Sequence, residues 1–281
     1  MKIGITGATG QLGRLVVEQV KKRNPNAELV ALVRDTDKAH DLGIEARVFD
    51  YDQPDHLENA LAGVDQLLLI SANEIGKRKA QHEAVVRAAK NAGVSRIVYT
   101  SLLHADRSTL NLAEEHLATE AFLKESGVPF TILRNGWYTE NYAGSISGSV
   151  AAGAYIGSAG EGKIASASRE DFAEAAAVVL LEEGHEGKVY ELAGDDAYTL
   201  ADFAAVIAKE ADKDIPYHNL TDKEYSDMLI SFGVPEGFAP MIASWDVAAS
   251  KGDLYSDDKT LSKLIGRPTT PWQDTVKAAL S

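Results

Sequence analysis

Residues Gly7-Ala8-Thr9-Gly10-Gln11-Leu12-Gly13 place three glycines at intervals of three, directly ahead of a helix-like run. That spacing suits one kind of chemistry, in which backbone amides rather than side chains hold a diphosphate. Gly7 would permit a tight turn, Gly10 a close approach of backbone to pyrophosphate, and Gly13 close packing of the next helix on a sheet. The phosphates would sit at a helix N-terminus, where free N–H groups and the dipole favour anions. The bland alternative is a glycine-rich turn that binds nothing. The loop follows a short apolar strand signal, KIGIT at 2–6, which favours the dinucleotide reading.

Arg34 ends the next strand signal, 21 residues beyond Gly13. An acidic residue there would bind the ribose hydroxyls of NAD. A guanidinium instead pairs bidentately with the 2′-phosphate of NADP, and Lys38 would add a second charge. Asp35 would let NAD be tolerated if it turned inward. The alternative is a surface arginine at a strand end.

Many reductases on such a scaffold protonate a carbonyl oxygen with a tyrosine, helped by a lysine four residues on. The helix expected over Leu112–Ser126 has neither at that place, and its face carries His116 and Glu120 instead. The single Tyr-x-x-x-Lys, Tyr255 to Lys259, lies far from that helix. Without the pair, hydride acceptors that need little acid help remain, such as a quinone or a conjugated cationic dye. A site for them mainly orients two flat rings, and the cofactor supplies the reactivity.

Ligands of open α/β sheets bind beyond the carboxyl ends of the strands. Three such ends hold candidates: Ser71-Ala72-Asn73, Thr100 to His104, and Asn135 to Tyr138. Ser101, Leu102, His104, Asn135 and Trp137 are the acceptor-side candidates. Trp137, Tyr138 and Tyr142 would stack on a flat ring or pack in a core. His104 has the ionisation range of a general acid, though a lone histidine is more often structural; Tyr138 is the other catalytic candidate. His116 and Glu120 share a helical face at i, i+4 but fall short of a metal set, so no metal is expected.

Strands are expected at 2–6, 28–34, 46–50, 65–71, 96–101 and 129–135, with helices at 12–23, 56–61, 78–92 and 112–126 between them. Alternation of this kind means a parallel sheet with helices on both faces, a doubly wound Rossmann-type α/β fold. After 135 the pattern loosens. Residues 138–150 read as a loop with a short helix, 171–182 as a helix and 188–194 as a seventh strand. Residues 199–210 read as a helix with a capping-box start at Thr199 and Asp202. From Pro216 onward short helices are expected, ending with 272–280. The expected division is a cofactor-binding core over 1–135, joined by a helix and a strand from 171–194. Residues 136–170 and 195–281 would form a smaller, mainly helical cap.

The 281 residues contain no cysteine, which excludes disulfide scaffolds, cysteine-ligated metals and thiol catalysis. No apolar run approaches the roughly 20 residues needed to cross a bilayer. The start runs straight into a strand and a loop, so no signal peptide and a cytoplasmic location are expected. The net charge of −14 is uneven. Residues 1–140 hold 17 Lys and Arg against 19 Asp and Glu, whereas residues 141–281 hold 11 against 23. Such acidity repels a nucleic-acid backbone, while the near-neutral first half would still accept a compact polyanion. For the second half, solubility alone is the simplest account.

Together the blocks GITGATGQLGRLV, ALVRD, YTSLLHAD, LRNGWYTENY, HEGKVYELAG and SKLIG resemble the NmrA-like atypical short-chain dehydrogenases. Within them the chain is most similar to the bacterial NADPH-dependent quinone oxidoreductase type, to which triphenylmethane reductase is related. The resemblance spans nearly the whole chain. It implies NADP(H) as cofactor, a cleft beneath a small C-terminal domain, and often a homodimer. Matched residue by residue, it implies phosphate contacts from Gly7 to Gly13 and 2′-phosphate recognition by Arg34. It also implies a nicotinamide-side loop near Ser71–Asn73, a second cofactor segment at Tyr138–Gly144 that includes Glu140, Asn141 and Tyr142, and a further contact at Arg169. The family also lacks the Tyr-Lys pair, so the resemblance supplies no catalytic acid. A non-catalytic NADP(H)-binding redox sensor on the same fold is the rival reading. A sugar-nucleotide epimerase is disfavoured by the missing pair.

Overall fold

The computed structural model describes residues 1–281. Seven strands form one parallel sheet: β1 (Lys2–Thr6), β2 (Glu28–Val33), β3 (Glu45–Val48), β4 (Gln66–Leu69), β5 (Arg96–Leu102), β6 (Phe130–Asn135) and β8 (Val189–Leu192). Their spatial order is β3-β2-β1-β4-β5-β6-β8. Ile3 pairs with Leu29 on one side and Gln66 on the other, so β1 sits where the winding direction reverses. Ligands of such sheets bind outside the carboxyl ends at that reversal.

Most strand residues are buried because helices cover both faces. On one face lie α1 (Gln11–Arg23), α6 (Arg169–Leu181) and α10 (Thr260–Ile265), whose apolar residues share a cluster with Ile3, Ile5, Leu68 and Leu133. Helix α1 forms because Leu12, Val16, Val17 and Val20 fall on one buried stripe. Lys21, Lys22 and Arg23 in its last turn complement the dipole. On the other face lie α2 (Pro54–Ala60), α3 (Arg78–Asn91) and α4 (Ala113–Ser126). There Leu57, Leu61, Val85 and Leu123 pack on Leu67, Leu69, Ile97 and Tyr99.

The C-terminal helices gather on an aromatic cluster. Helices α7 (Leu200–Ala211) and α11 (Trp272–Leu280) bring Phe203 and Trp272 against Tyr198, with the Tyr198 and Trp272 rings 4.3 Å apart between centroids. Thr199 and Asp202 form the expected capping box. Thr221 and Glu224 form a second one at α8 (Asp222–Ser231), which is followed by α9 (Ala239–Ser250).

Two segments differ from expectation. Residues 138–150 are not a loop with a short helix: Glu140–Ala152 is a full 13-residue helix, α5. Its glycines and serines are poor helix formers, but packing against α7 and α11 overrides propensity, and Gly153 in the left-handed region ends it. The stretch from Pro216 opens not with a helix but with β9 (Tyr217–Asn219). That strand pairs in parallel with β7 (Tyr155–Gly157) in a separate two-stranded sheet. No helix is long and apolar enough to cross a membrane.

Candidate functional site

The glycine loop leaves β1 at the reversal point. Gly7 takes φ +58°, a conformation few side chains tolerate, and its N–H donates to the Leu32 carbonyl at 3.0 Å. The Gly10 N–H donates to the Gly7 carbonyl at 2.9 Å, closing the turn. A Cβ on Gly13 would lie 2.3 Å from that same carbonyl oxygen, so only glycine lets α1 approach the loop. Gly10 caps α1 with no side-chain acceptor, and the first turn holds no acid. The leading amides are therefore left for an external anion. Ala8 and Leu12 are buried packing residues, whereas Gln11 is exposed. Arg14, absent from the sequence candidates, ties the Thr9 carbonyl (3.1 Å) to Asp41 (2.5 Å).

From this loop a cleft of about 350 Å³ runs past Gly10, Arg34, Asp50, Ser71 and Asn73. It brings Gly7, Thr9 and Gly10 of the glycine loop onto the same cleft as Arg34. Phe49, Tyr51, Glu74 and Gln81 also line it and were missed. The signal for Phe49 to Tyr51 was their position at the carboxyl end of the strand beside β2; Glu74 and Gln81 gave none. The cleft fits NADP(H): open amides at one end, a guanidinium at the other, and no bulky side chain over Gly10. A larger hollow of about 620 Å³ beside α7 and β9 is lined by four alanines of α7 together with Ile215, Pro216 and Tyr217, and touches no strand of the main sheet.

The loop after β4 is anchored by α3. The Ala72 N–H donates to His82 Nε2 at 3.0 Å, and Arg78 Nε donates to the Ala72 carbonyl at 2.8 Å. Burial, reinforced by the Arg78 charge, pushes His82 down to about 3. The ring is thus neutral, and since Nε2 accepts, Nδ1–H donates to Thr119 Oγ1 at 2.9 Å. Ser71 is held through its N–H by Thr100 Oγ1 at 2.9 Å.

The sheet-facing stripe of α4 carries His116, Thr119 and Glu120, all buried. Such a face is stable only if each group finds a partner. The Tyr99 hydroxyl lies 2.7 Å from His116 Nδ1. Glu120 accepts from Ser101 Oγ at 2.7 Å and takes two bonds from Arg134. His116 and Glu120 therefore hold the helix to the sheet. Ser101, an acceptor-side candidate, spends its hydroxyl on that carboxylate, and Leu102 is core.

His104 has φ +54°, an uncommon conformation for a side chain of this size. Its N–H donates to Glu191 Oε2 at 2.8 Å, and Nε2 lies 3.0 Å from the Tyr255 carbonyl. The backbone is thus tied to β8, and the ring is placed by the segment before α10 and by Arg107 Nη2, 3.1 Å from Nε2.

Tyr138, Glu140, Asn141 and Arg169 come together. The Arg169 guanidinium lies 4.5 Å over the Tyr138 ring and donates to Asn141 Oδ1 at 2.7 Å. Its backbone N–H donates to Glu140 Oε1 at 2.8 Å. Burial raises the Tyr138 hydroxyl above its ordinary range, opposed by a hydrogen bond from Asn135. Asn135 Oδ1 itself is buried with no protein partner. Tyr142 goes elsewhere, its ring tilted against Phe203 in the C-terminal cluster with centroids 5.5 Å apart. Trp137 is buried edge-on against Trp245 of α9 at 5.4 Å.

Comparison with known proteins agrees with this geometry. Quinone oxidoreductase 2 of Escherichia coli (strain K12) is 53% identical over 277 residues, spanning 98% of this chain and 97% of the relative. The crystal structure of an Escherichia coli NADPH-dependent quinone oxidoreductase complexed with NADPH superposes with a TM-score of 0.97 at 52% identity, covering 99% of this chain and 100% of that one. Triphenylmethane reductase of Citrobacter sp., complexed with NADP(H), superposes with a TM-score of 0.95 at 40% identity, over 99% of both chains. A family model described as NAD(P)H-binding matches residues 7–183, the span that contains the loop, Arg34 and Arg169. With those residues gathered at the carboxyl end of the sheet, the chain belongs to the NAD(P)H-binding family.

Proposed function

We propose that the protein is an NADPH-dependent oxidoreductase that reduces a quinone or a similar planar conjugated acceptor. The observation that carries the reading is the cleft joining the uncapped N-terminus of α1 to Arg34, beside an α4 stripe committed to structural bonds. The strong likeness to the quinone oxidoreductase in both sequence and structure supports it.

Bound NADPH supplies a hydride to the acceptor. The amides that open α1 would hold the pyrophosphate, and Arg34 the 2′-phosphate. Ser71–Asn73, fixed through Ala72 by His82 and Arg78, would set the ring-side wall. Tyr138 and Arg169, stacked on one another, would close the opposite side. The acceptor would lie toward Trp137, between the Rossmann core and the helices after residue 195. No side chain needs to deliver a proton: a hydroquinone anion has a basicity near that of tyrosine, pKa about 10, so water protonates it. Proximity and ring orientation then supply the rate.

The test is the loss of NADPH absorbance on adding a benzoquinone. Turnover supports the reading. Tight NADPH binding with no turnover across a panel of quinones and dyes overturns it.

A further inference from the structure

We propose that Glu74 sets cofactor selectivity by competing with the 2′-phosphate for Arg34. The inference rests on the cofactor reading above and deepens it.

Glu74 lies forty residues after Arg34 in the chain. It meets Arg34 because β4 and β2 flank β1, so the loops leaving both strands reach the same rim. Arg34 Nη1 donates to Glu74 Oε1 at 3.2 Å, and Glu74 is the only acidic partner of Arg34. The other carboxylate oxygen is engaged separately: Oε2 accepts from Lys77 Nζ at 3.1 Å and from Gln81 Nε2 at 3.1 Å. Asp52 shares both of those donors, at 3.5 Å and 3.0 Å. Lys38 lies 3.7 Å from Asp35. Each cation at this rim therefore already faces a carboxylate of the protein.

The loop is not free to carry Glu74 away. Ala72 is held on both sides by His82 and Arg78, and the Gly76 N–H donates to Glu115 Oε1 at 3.1 Å. A phosphate that takes the Nη1 edge of Arg34 displaces Oε1 alone. Lys77 and Gln81 keep Oε2, so the displaced carboxylate is not stranded. NADH, which has no 2′-phosphate, leaves the bridge intact. Glu74 thus weakens NADPH while sparing NADH, and the preference for NADPH is smaller than Arg34 alone would give. The Arg34 side chain is 65% exposed, so solvent screens the bridge and the competition is modest.

Dissociation constants for NADPH and NADH, measured by calorimetry on the full chain, test this. The set comprises wild type, Glu74→Gln, Arg34→Ala and the double variant. Glu74→Gln keeps an amide for hydrogen bonding and removes the charge. It is expected to tighten NADPH about two- to fivefold while NADH stays within about 1.5-fold, the scale of an exposed ion pair. In the Arg34→Ala background the same change is expected to leave NADPH unmoved. Equal tightening of both cofactors, or tightening that persists without Arg34, means a general field effect and overturns the proposal. No change in NADPH affinity also overturns it, with the cofactor reading intact. A wild type that binds neither cofactor sinks that reading itself, which separates the two failures. Titration with 2′,5′-ADP and ADP gives a second readout: only 2′,5′-ADP should tighten on Glu74→Gln, and an unchanged ratio overturns the proposal.

Discussion

Arg134 on β6 grips Glu120 on α4 through two hydrogen bonds, Nε to Oε1 at 2.9 Å and Nη2 to Oε2 at 2.8 Å, inside the protein. Glu120 is 1% exposed. Arg134 also donates to Glu191 Oε1 at 2.8 Å, and those carboxylates raise its ionisation above the ordinary range. The fork occupies the helix that supplies a tyrosine and a lysine in many other reductases. Here the same helix face is used to fasten two layers.

Breaking the fork from one side leaves a buried charge. Arg134→Met is expected to lower stability by about 3–5 kcal/mol, since Glu120 keeps only Ser101 and a distant Lys124. Glu120→Gln is expected to cost less, because Arg134 retains Glu191. Denaturant unfolding of the two variants checks the order. A larger loss for Glu120→Gln would contradict it.

Gly10 and Gly13 should fail differently. Gly10 has φ −77°, and a Cβ there meets only the Gly7 carbonyl, at 3.2 Å. Gly10→Val is expected to fold, with a melting temperature near wild type, and to lose both cofactors by filling the phosphate seat. Gly13→Ala drives its Cβ into the Gly7 carbonyl and is expected to lose stability and binding together. Thermal melts run beside cofactor titration distinguish the two. Retained NADPH binding in Gly10→Val would remove the loop from the site.

Under the proposed mechanism water protonates the product, and His104 is then dispensable for chemistry. Asparagine tolerates the left-handed backbone that His104 adopts. His104→Asn is therefore expected to keep kcat for a benzoquinone within about threefold. A fall of about a hundredfold, the scale of general acid catalysis, would instead make His104 the proton donor.

Two buried groups bend the pH profile of stability in opposite directions. His82 is pushed down to about 3, so the folded state binds fewer protons than the unfolded chain. Its contribution is complete above about 6.5 and is lost as pH falls toward 3. Asp246 is pushed up to about 6 by burial, partly offset by the Ser158 N–H at 2.8 Å. The charges and hydroxyls that face it belong to Tyr142, Tyr155, Tyr217 and Tyr225. Its folded state binds more protons, so stability is lost as pH rises from about 4 to 6. Asp246→Asn keeps an acceptor for Ser158 and is expected to raise the melting temperature at pH 8 more than at pH 4. Equal shifts at both would rule out the titration.

The candidate site was legible where geometry leaves a residue-type signature. Gly7, Gly10 and Gly13 are demanded by a positive φ, an open helix cap and a close contact. Arg34 falls at a fixed distance from them. Strands β1, β2 and β4 to β6 were visible because burial on both faces leaves short, mostly apolar runs, whereas the edge strand β3 is only partly buried. Glu74 was not visible, since a charge on a loop has no pattern until the sheet order brings it to Arg34, and Gln81 was one polar position among many on helix α3. Helix α5 hid behind Gly144, Ser145, Ser147, Gly148 and Ser149, whose local preference is overruled by neighbours far away in sequence. Strands β7 and β9 are three residues each, too short for any alternation to register.

The missing side chain at Gly13 has a consequence for redesign. With the helix seated on the Gly7 carbonyl, turn and helix form one casting that cannot be re-cut in parts. Attempts to retarget this scaffold to another nucleotide would have to work at the far wall, where Arg34 and Asp35 on one loop and Glu74 on another can be exchanged one at a time.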